Sequence, residues 1–402
     1  MDEQLNQLLQ GEEARQDATL NLIASENYPS REVGLALTSI AGSKYAEGYP
    51  GKRYYAGCET TIDEFERLAI ELAGELFGVK YVNVQPHSGS NANLATYFAV
   101  LNPGDRVLAP ALNAGGHLTH GSPASITSKL WQFEHYGVSD ETGRYDMDEI
   151  GAQAKFFKPR LIIAGTSAYP ALIDWSAFRA IADEVGAQLM ADIAHLAGLM
   201  AAEVIPSAIT HADVITTTTQ KTLRGPRGGM IMTHDADLAK KIDRAVFPGL
   251  QGGAHMHTIA AKAQCLAEAT QPEFKTYATQ TLANAKALET ALHKLKCQTW
   301  TDHTETHLLN IDTQQSFGMD GKVAEERLEA AGIIANREAL PGDDSPLRPS
   351  GLRLGTPALT TRGLREAQMQ KIAQLVVDVL RDGRDASSVA KDVANLTKLF
   401  PL

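Results

Sequence analysis

The sequence has little cysteine, a deficit of positive charge and no long apolar run, and each shortage closes a class of function. Its three cysteines, Cys58, Cys265 and Cys297, are too few and too scattered for a disulfide framework or a paired-cysteine zinc site, so a reducing compartment is expected. No stretch approaches membrane-spanning length. The N-terminal residues MDEQLNQLLQGEEARQD are acidic and amphipathic, without the basic start and apolar centre of a signal peptide; the expectation is a cytoplasmic protein with no membrane partner. Lysine and arginine number 37 against 48 aspartates and glutamates, a formal charge of −11. A general nucleic-acid binder needs a basic face to neutralise phosphates, so that class is set aside, while local basic sites for small anions remain open.

What is present reads as an ordinary globular chain, 44% hydrophobic and 21% charged over 402 residues, long enough for one large domain and a smaller one. Short β-branched and apolar runs recur at 81–86 (YVNVQP), 106–110 (RVLAP), 160–167 (RLIIAGTS), 187–194 (AQLMADIA), 213–219 (DVITTTT) and 228–234 (GGMIMTH), with helical stretches between them. That alternation predicts an α/β domain with a largely parallel sheet. The segment DWSAFRAIADEVG (174–186) has helical spacing, with Asp174 as cap and Gly186 as stop. The last two runs lie too close for an intervening helix, which predicts an antiparallel pair. Beyond a long helical pattern at 271–295, the runs at 306–315 and 351–359 suit a smaller C-terminal α/β domain, and LPGDDSPLRPSG (340–351) reads as a loop.

In open α/β sheets ligands gather at the carboxyl ends of the strands. Four such ends carry notable groups. Ser88, Gly89 and Ser90 precede a helix and read either as an anion nest or as an ordinary helix cap. Asp192 and His195 follow an apolar strand, where the carboxylate suits a cationic ring nitrogen or a capping role. His117 and His120 follow two glycines; without a carboxylate or cysteine at ligand spacing they read as ring-stacking or surface histidines, and no metal is expected. Lys221 ends the run TTTTQK, whose β-branched threonines stiffen the strand that aims it. A lysine there is ordinarily a solvated charge. Beside an anion nest, an aspartate and a histidine it becomes a candidate amine nucleophile for an aldehyde. These parts are what pyridoxal phosphate requires, and Arg353 in SGLRLGTPA is the candidate fork for an amino-acid carboxylate.

Eight segments in order between positions 21 and 363 resemble the serine hydroxymethyltransferase family: NLIASENYPS, SKYAEGYPGKRYYAGCE, NVQPHSGSNAN, GGHLTHGSP, ADIAHLAGL, TTTTQKTLRGPRGG, VFPGLQGG and SGLRLGTPALTTRG. The resemblance implies the fold type I of pyridoxal-phosphate-dependent transferases. In that fold a large domain carries a seven-stranded, mostly parallel sheet and a smaller C-terminal α/β domain follows. Within it the chain is expected to divide into an N-terminal arm or helix (1–33), the large cofactor-binding domain (34–275) and the small domain (276–402). It further implies a homodimer with shared active sites, pairing into tetramers being left open, and a small amino-acid substrate.

Carried over by position, the resemblance makes Lys221 the Schiff-base lysine, Asp192 the partner of the pyridine nitrogen and His117 the ring-stacking histidine. Ser88, Gly89 and Ser90 would cradle the phosphate, with Gly252, Gly253 and a second subunit's Tyr45. Ser167 and His195 would lie around the phenolic oxygen. Ser25 and Arg353 would hold the substrate carboxylate; Glu47 would lie near the substrate hydroxyl and the folate and manage protons there, and Tyr55 would shape the same pocket. The chain departs from the family pattern at Gln220 (ordinarily histidine, beside the cofactor), Ala254 (ordinarily proline) and Gly342 (ordinarily an asparagine that binds the folate ring). The implied activity is interconversion of serine plus tetrahydrofolate with glycine plus 5,10-methylenetetrahydrofolate. The alternative is a folate-independent relative: a threonine or allo-threonine aldolase, a transaldolase, or an α-methylserine hydroxymethyltransferase.

Overall fold

In the computed structural model, which describes residues 1–343 and 348–402, the apolar runs of the first part pair into one seven-stranded sheet. Its strands are β1 (Tyr81–Asn83), β2 (Arg106–Pro110), β3 (Gln132–Tyr136), β4 (Leu161–Ala164), β5 (Gln188–Asp192), β6 (Val214–Thr218) and β7 (Gly229–Thr233), in the order β1-β7-β6-β5-β4-β2-β3. Pairs β2–β3, β2–β4, β4–β5 and β5–β6 are parallel, whereas β7 is antiparallel to both β6 and β1, as the short β6–β7 connection predicts. The strand missed in the sequence is β3. It sits at the sheet edge, paired on one side only, so QFEHY keeps polar residues that a central strand would lose.

Helices cover the sheet because strands such as Leu161–Ala164 are buried along their whole length. Val107, Ala109, Leu161, Ile163, Met190, Val214 and Ile231 pack with Ala92, Ala95 and Tyr97 of the helix Gly89–Val100 into one core cluster. Each larger side chain of this kind contributes about 1.5–3 kcal/mol on burial. The helix Trp175–Val185 starts and stops where its sequence signals it. Asp174 Oδ1 accepts the Ala177 N–H at 3.0 Å, and Gly186 closes the helix at φ 69°.

The chain forms two compact units, Pro29–Ser167 with Leu172–Ala278, and Met1–Tyr28 with Ala168–Ala171 and Thr279–Leu402. The second holds a four-stranded antiparallel sheet of β8 (Gln298–Thr299), β9 (Leu308–Asp312), β10 (Asn336–Glu338) and β11 (Gly351–Gly355), ordered β8-β9-β11-β10. Leu309, Ile311, Leu352 and Leu354 meet Met369, Ile372 and Val376 of the helix Glu366–Leu380 in its core. Residues 344–347 of the loop read at 340–351 lie outside the described residues. The N-terminal helix Glu3–Ala18 buries none of its residues, and Leu5, Leu8 and Leu9 remain exposed. Its end is tied down by the buried Arg362, which donates to the carbonyls of Gln16, Asp17 and Thr19. All three cysteines are free and buried, and among the described residues no helix is long and apolar enough to cross a membrane.

Candidate active site

The parallel strands β2, β4, β5 and β6 end on one edge of the large sheet, and the segments leaving them carry most of the candidate residues. Asp192 closes β5 opposite Thr216 of β6. Its Oδ2 accepts from Asn93 Nδ2 at 2.8 Å and lies 3.0 Å from His120 Nε2, while Oδ1 accepts the Ala194 N–H at 3.1 Å. The His117 backbone N–H donates to His120 Nδ1 at 3.1 Å, so the proton of a neutral His120 sits on Nε2 and is directed at the carboxylate. Asn93 spends its other amide hydrogen on Thr119 Oγ1 (2.9 Å), and its carbonyl accepts from Thr216 Oγ1 (2.7 Å). Thr119 Oγ1 also lies 2.7 Å from His117 Nδ1, which places the candidate stacking ring on the same network.

Burial by itself would raise the Asp192 pKa. The hydrogen bond from His120, the imidazoles of His120 and His117 and the Asn93 amide outweigh burial and hold the carboxyl well below the usual range. A depressed folded-state pKa gives stability that is complete above the unfolded value, about 3.9, and is lost as pH falls below it. The gap in thermal midpoint between the cofactor-free protein and its Asp192→Asn variant is therefore expected to narrow from pH 5 towards pH 3 (on the scale of that about 3.9 unfolded pKa). A pH-independent gap would show that the carboxylate is not held ionised.

After β1 the chain leaves the sheet through Val84–His87 and enters the helix Gly89–Val100, capped by Ser88, whose Oγ accepts the Asn91 N–H at 3.2 Å. A Cβ at Gly89 would stand 2.6 Å from Thr218 Cγ2, so only glycine lets this helix start so near the end of β6. Ser88 and Gly89 are half-buried and Ser90 is exposed. A helix start of this kind offers N–H groups and a positive dipole end to an anion.

Lys221 is half-buried three residues beyond β6. The turn that carries it is fixed by Thr219 Oγ1 donating to Pro226 O (2.5 Å), by Gly225 N donating to Thr219 O (2.7 Å) and by Arg224 lying 4.6 Å over the Tyr277 ring. Gln220 points its Oε1 back to the Gly228 N–H, 3.4 Å away. Thr222 Oγ1 donates to the carbonyl of the buried His195 (3.0 Å) and accepts the Gly198 N–H (2.9 Å), binding the lysine turn to the segment after Asp192. Ser167 N donates to Gly115 O at 2.7 Å, which ties the segment after β4 to the His117 loop.

Tyr45, Glu47, Tyr55, Gly252 and Gly253 gather in a further group. The Tyr45 and Tyr55 ring centroids are 5.2 Å apart; a Cβ at Gly252 would stand 3.3 Å from Glu47 Oε1, and one at Gly253 3.5 Å from the Tyr45 ring. Arg53 sets the backbone on both sides of Glu47, donating to Ala46 O (2.9 Å) and Gly48 O (2.7 Å) while paired with Asp63 (2.8 Å) and Glu66 (2.6 Å). Ser25 and Arg353 belong to the other unit, where Gly355 N donates to Leu22 O at 2.7 Å and so brings the end of β11 beside the segment that leads to Ser25. The buried Arg353 donates from Nε to Asn336 Oδ1 (3.1 Å) and has Nη1 3.5 Å from Glu338 Oε2. Gly342 is exposed.

His120 corrects the sequence reading of a ring-stacking or surface histidine: it is 1% exposed and bound to Asp192. Asn93, Thr119, Gln251 and Lys262 were not singled out. The NAN repeat after the cradle was the available signal for Asn93, and the HLTH spacing after two glycines for Thr119.

An α/β sheet with an amine, a buried ionised carboxylate and a helix start open to anions along one edge defines the class of enzymes built to hold pyridoxal phosphate. The family model for serine hydroxymethyltransferase matches residues 1–376, and the chain belongs to that family. It is 49% identical, over 100% of its length and 96% of the relative's, to a serine hydroxymethyltransferase of Desulforapulum autotrophicum. It is 50% identical, over 99% of its length and 98% of the relative's, to one of Limosilactobacillus reuteri.

Proposed function

We propose that this chain interconverts serine and tetrahydrofolate with glycine and 5,10-methylenetetrahydrofolate, using pyridoxal phosphate, as a cytoplasmic homodimer. When bound, pyridoxal phosphate supplies the electron sink that makes cleavage of the serine Cα–Cβ bond accessible. The observation that carries the reading is the Asp192 network: a buried carboxylate kept ionised by three donors at a strand end is what holding a proton on the cofactor's ring nitrogen would require.

The remaining residues take roles that this centre requires. Lys221 would hold the cofactor aldehyde, and His117, its Nδ1 fixed by Thr119, would stack on the cofactor ring. Ser88, Gly89 and Ser90 receive the phosphate, while Ser167, His195 and Gln220 line the ring edge. Arg353 and Ser25 orient the amino-acid carboxylate. Glu47 moves the proton of the substrate hydroxyl, with Tyr55 shaping its surroundings. Tyr45 and Tyr55 are 61% and 43% exposed, which suits side chains that, with Glu47, Gly252 and Gly253, complete a partner's site.

Loss of one charged hydrogen-bonding partner costs about 1.5–3 kcal/mol, roughly ten- to a hundredfold in affinity. Arg353→Lys, which keeps the charge beside Glu338 but loses the planar fork, is accordingly expected to raise the serine KM by about that factor with a smaller change in kcat. An unchanged KM would remove Arg353 from substrate binding.

The activity itself is tested by following glycine release from serine with and without tetrahydrofolate, alongside allo-threonine and α-methylserine as donors. Serine cleavage is expected to rise with tetrahydrofolate. Cleavage indifferent to tetrahydrofolate and faster on a bulkier donor would favour the folate-independent relative.

A further inference from the structure

One ammonium lies inside the large unit with no acid against it. Lys262, on the helix Met256–Ala269, is 1% exposed, and its Nζ donates to Val84 O (2.6 Å), Gly229 O (2.8 Å) and Pro86 O (3.2 Å). Among the described residues no carboxylate is within ion-pair distance of it. Three acceptors match the three N–H bonds of an ammonium; a neutral amine has one too few. Burial pulls its pKa down to about 7, opposed by Glu66 at longer range; His87 and His255 are the other titratable groups that feel its charge.

The three carbonyls are not a random set. Val84 and Pro86 lie in the stretch between β1 and Ser88, outside the strand ladder, and Gly229 opens β7. Gln251 holds the same stretch from another side: its Nε2 donates to Gln85 O (3.0 Å) and its Oε1 accepts from His87 N (2.9 Å) and Asn91 Nδ2 (3.1 Å). The carbonyls of residues 84, 85 and 86 are thus all held by buried side chains. The glycines of PRGG make room for this. A Cβ at Gly228 would stand 2.4 Å from Lys262 Cε, and one at Gly229 2.4 Å from Ser88 O. Lys262 therefore fixes the backbone that delivers the helix start at Ser88 and Gly89, and sets a positive charge behind it.

We propose that Lys262 is a positioning residue for the cofactor's phosphate group, shaping and charging the anion-binding turn from behind without touching the ligand. The inference rests on the reading that Ser88 and Gly89 receive that phosphate. A buried cation without a contacting anion is costly, and a phosphate in front of the turn would supply the missing opposite charge.

The test compares binding of pyridoxal phosphate and of pyridoxal, which lacks the phosphate, to the cofactor-free protein by absorbance titration. Lys262→Met is expected to lower the preference for the phosphorylated form by about tenfold or more while leaving the affinity for pyridoxal unchanged, because only the anion-binding turn is disturbed. Loss of affinity for both in step, or an unchanged preference, would overturn the proposal and reduce Lys262 to a packing residue. If Lys262→Met does not fold, Lys262→Gln, which keeps two N–H donors but no charge, is read the same way, with a loss of about threefold or more expected. A wild-type protein with no preference for pyridoxal phosphate over pyridoxal would instead sink the phosphate-site reading on which the proposal stands.

Discussion

Lys221→Ala is expected to abolish the absorbance of protein-bound pyridoxal phosphate and to lower serine cleavage on the order of 10⁴-fold or more, the scale of losing a covalent nucleophile. Lys262, on the helix Met256–Ala269, is committed to three carbonyls and buried, and so is not available to take its place. The fold is expected to survive, because the turn is held by Thr219, Gly225 and the Arg224 contact with Tyr277 and not by the lysine alone. Circular dichroism identical to wild type with the absorbance lost would locate the effect in the amine. Retained absorbance would remove Lys221 from its role.

Asp192→Asn is the second large effect. The amide is close to isosteric and can still accept from His120 and Asn93 through its oxygen, so the network geometry is largely kept while its charge is removed. Without that charge nothing holds the proton on the ring nitrogen, and the electron sink weakens. The expected loss in kcat is about 10²–10⁴-fold, the range in which a positioned proton acts. Asp192→Glu keeps the charge but overfills a site packed against His120 and Asn93, and it should retain more activity than the amide. Equal activity of Asp192→Asn and wild type would mean that the ionised carboxylate has no part in the reaction.

Much of this centre was legible from the sequence because the strand ends are marked by local chemistry. The threonine run stops at a lysine, the apolar run at 187–191 stops at an aspartate, and serine and glycine precede a helix. The edge strand Gln132–Tyr136 was not, since one-sided pairing permits polar residues and erases the period. The supporting residues were hidden for a different reason. Asp192 is held ionised by residues 93 and 120, and the turn before Ser88 by residues 251 and 262, so four distant segments converge on two short stretches. Lys262 in IAAKAQCLAEA reads as one solvated charge on an alanine-rich helix. Only the placement of three carbonyls around its amine makes burial tolerable, and no spacing rule carries that information.

The most direct measurement is chemical: the protein loaded with pyridoxal phosphate is treated with borohydride, digested and mapped by mass spectrometry. A pyridoxyl group on the peptide containing Lys221, and no label on that of Lys262, is the expected outcome. Label fixed on another lysine, or none at all after loading, would contradict the assignment of the strand-end amine on which the whole site is built.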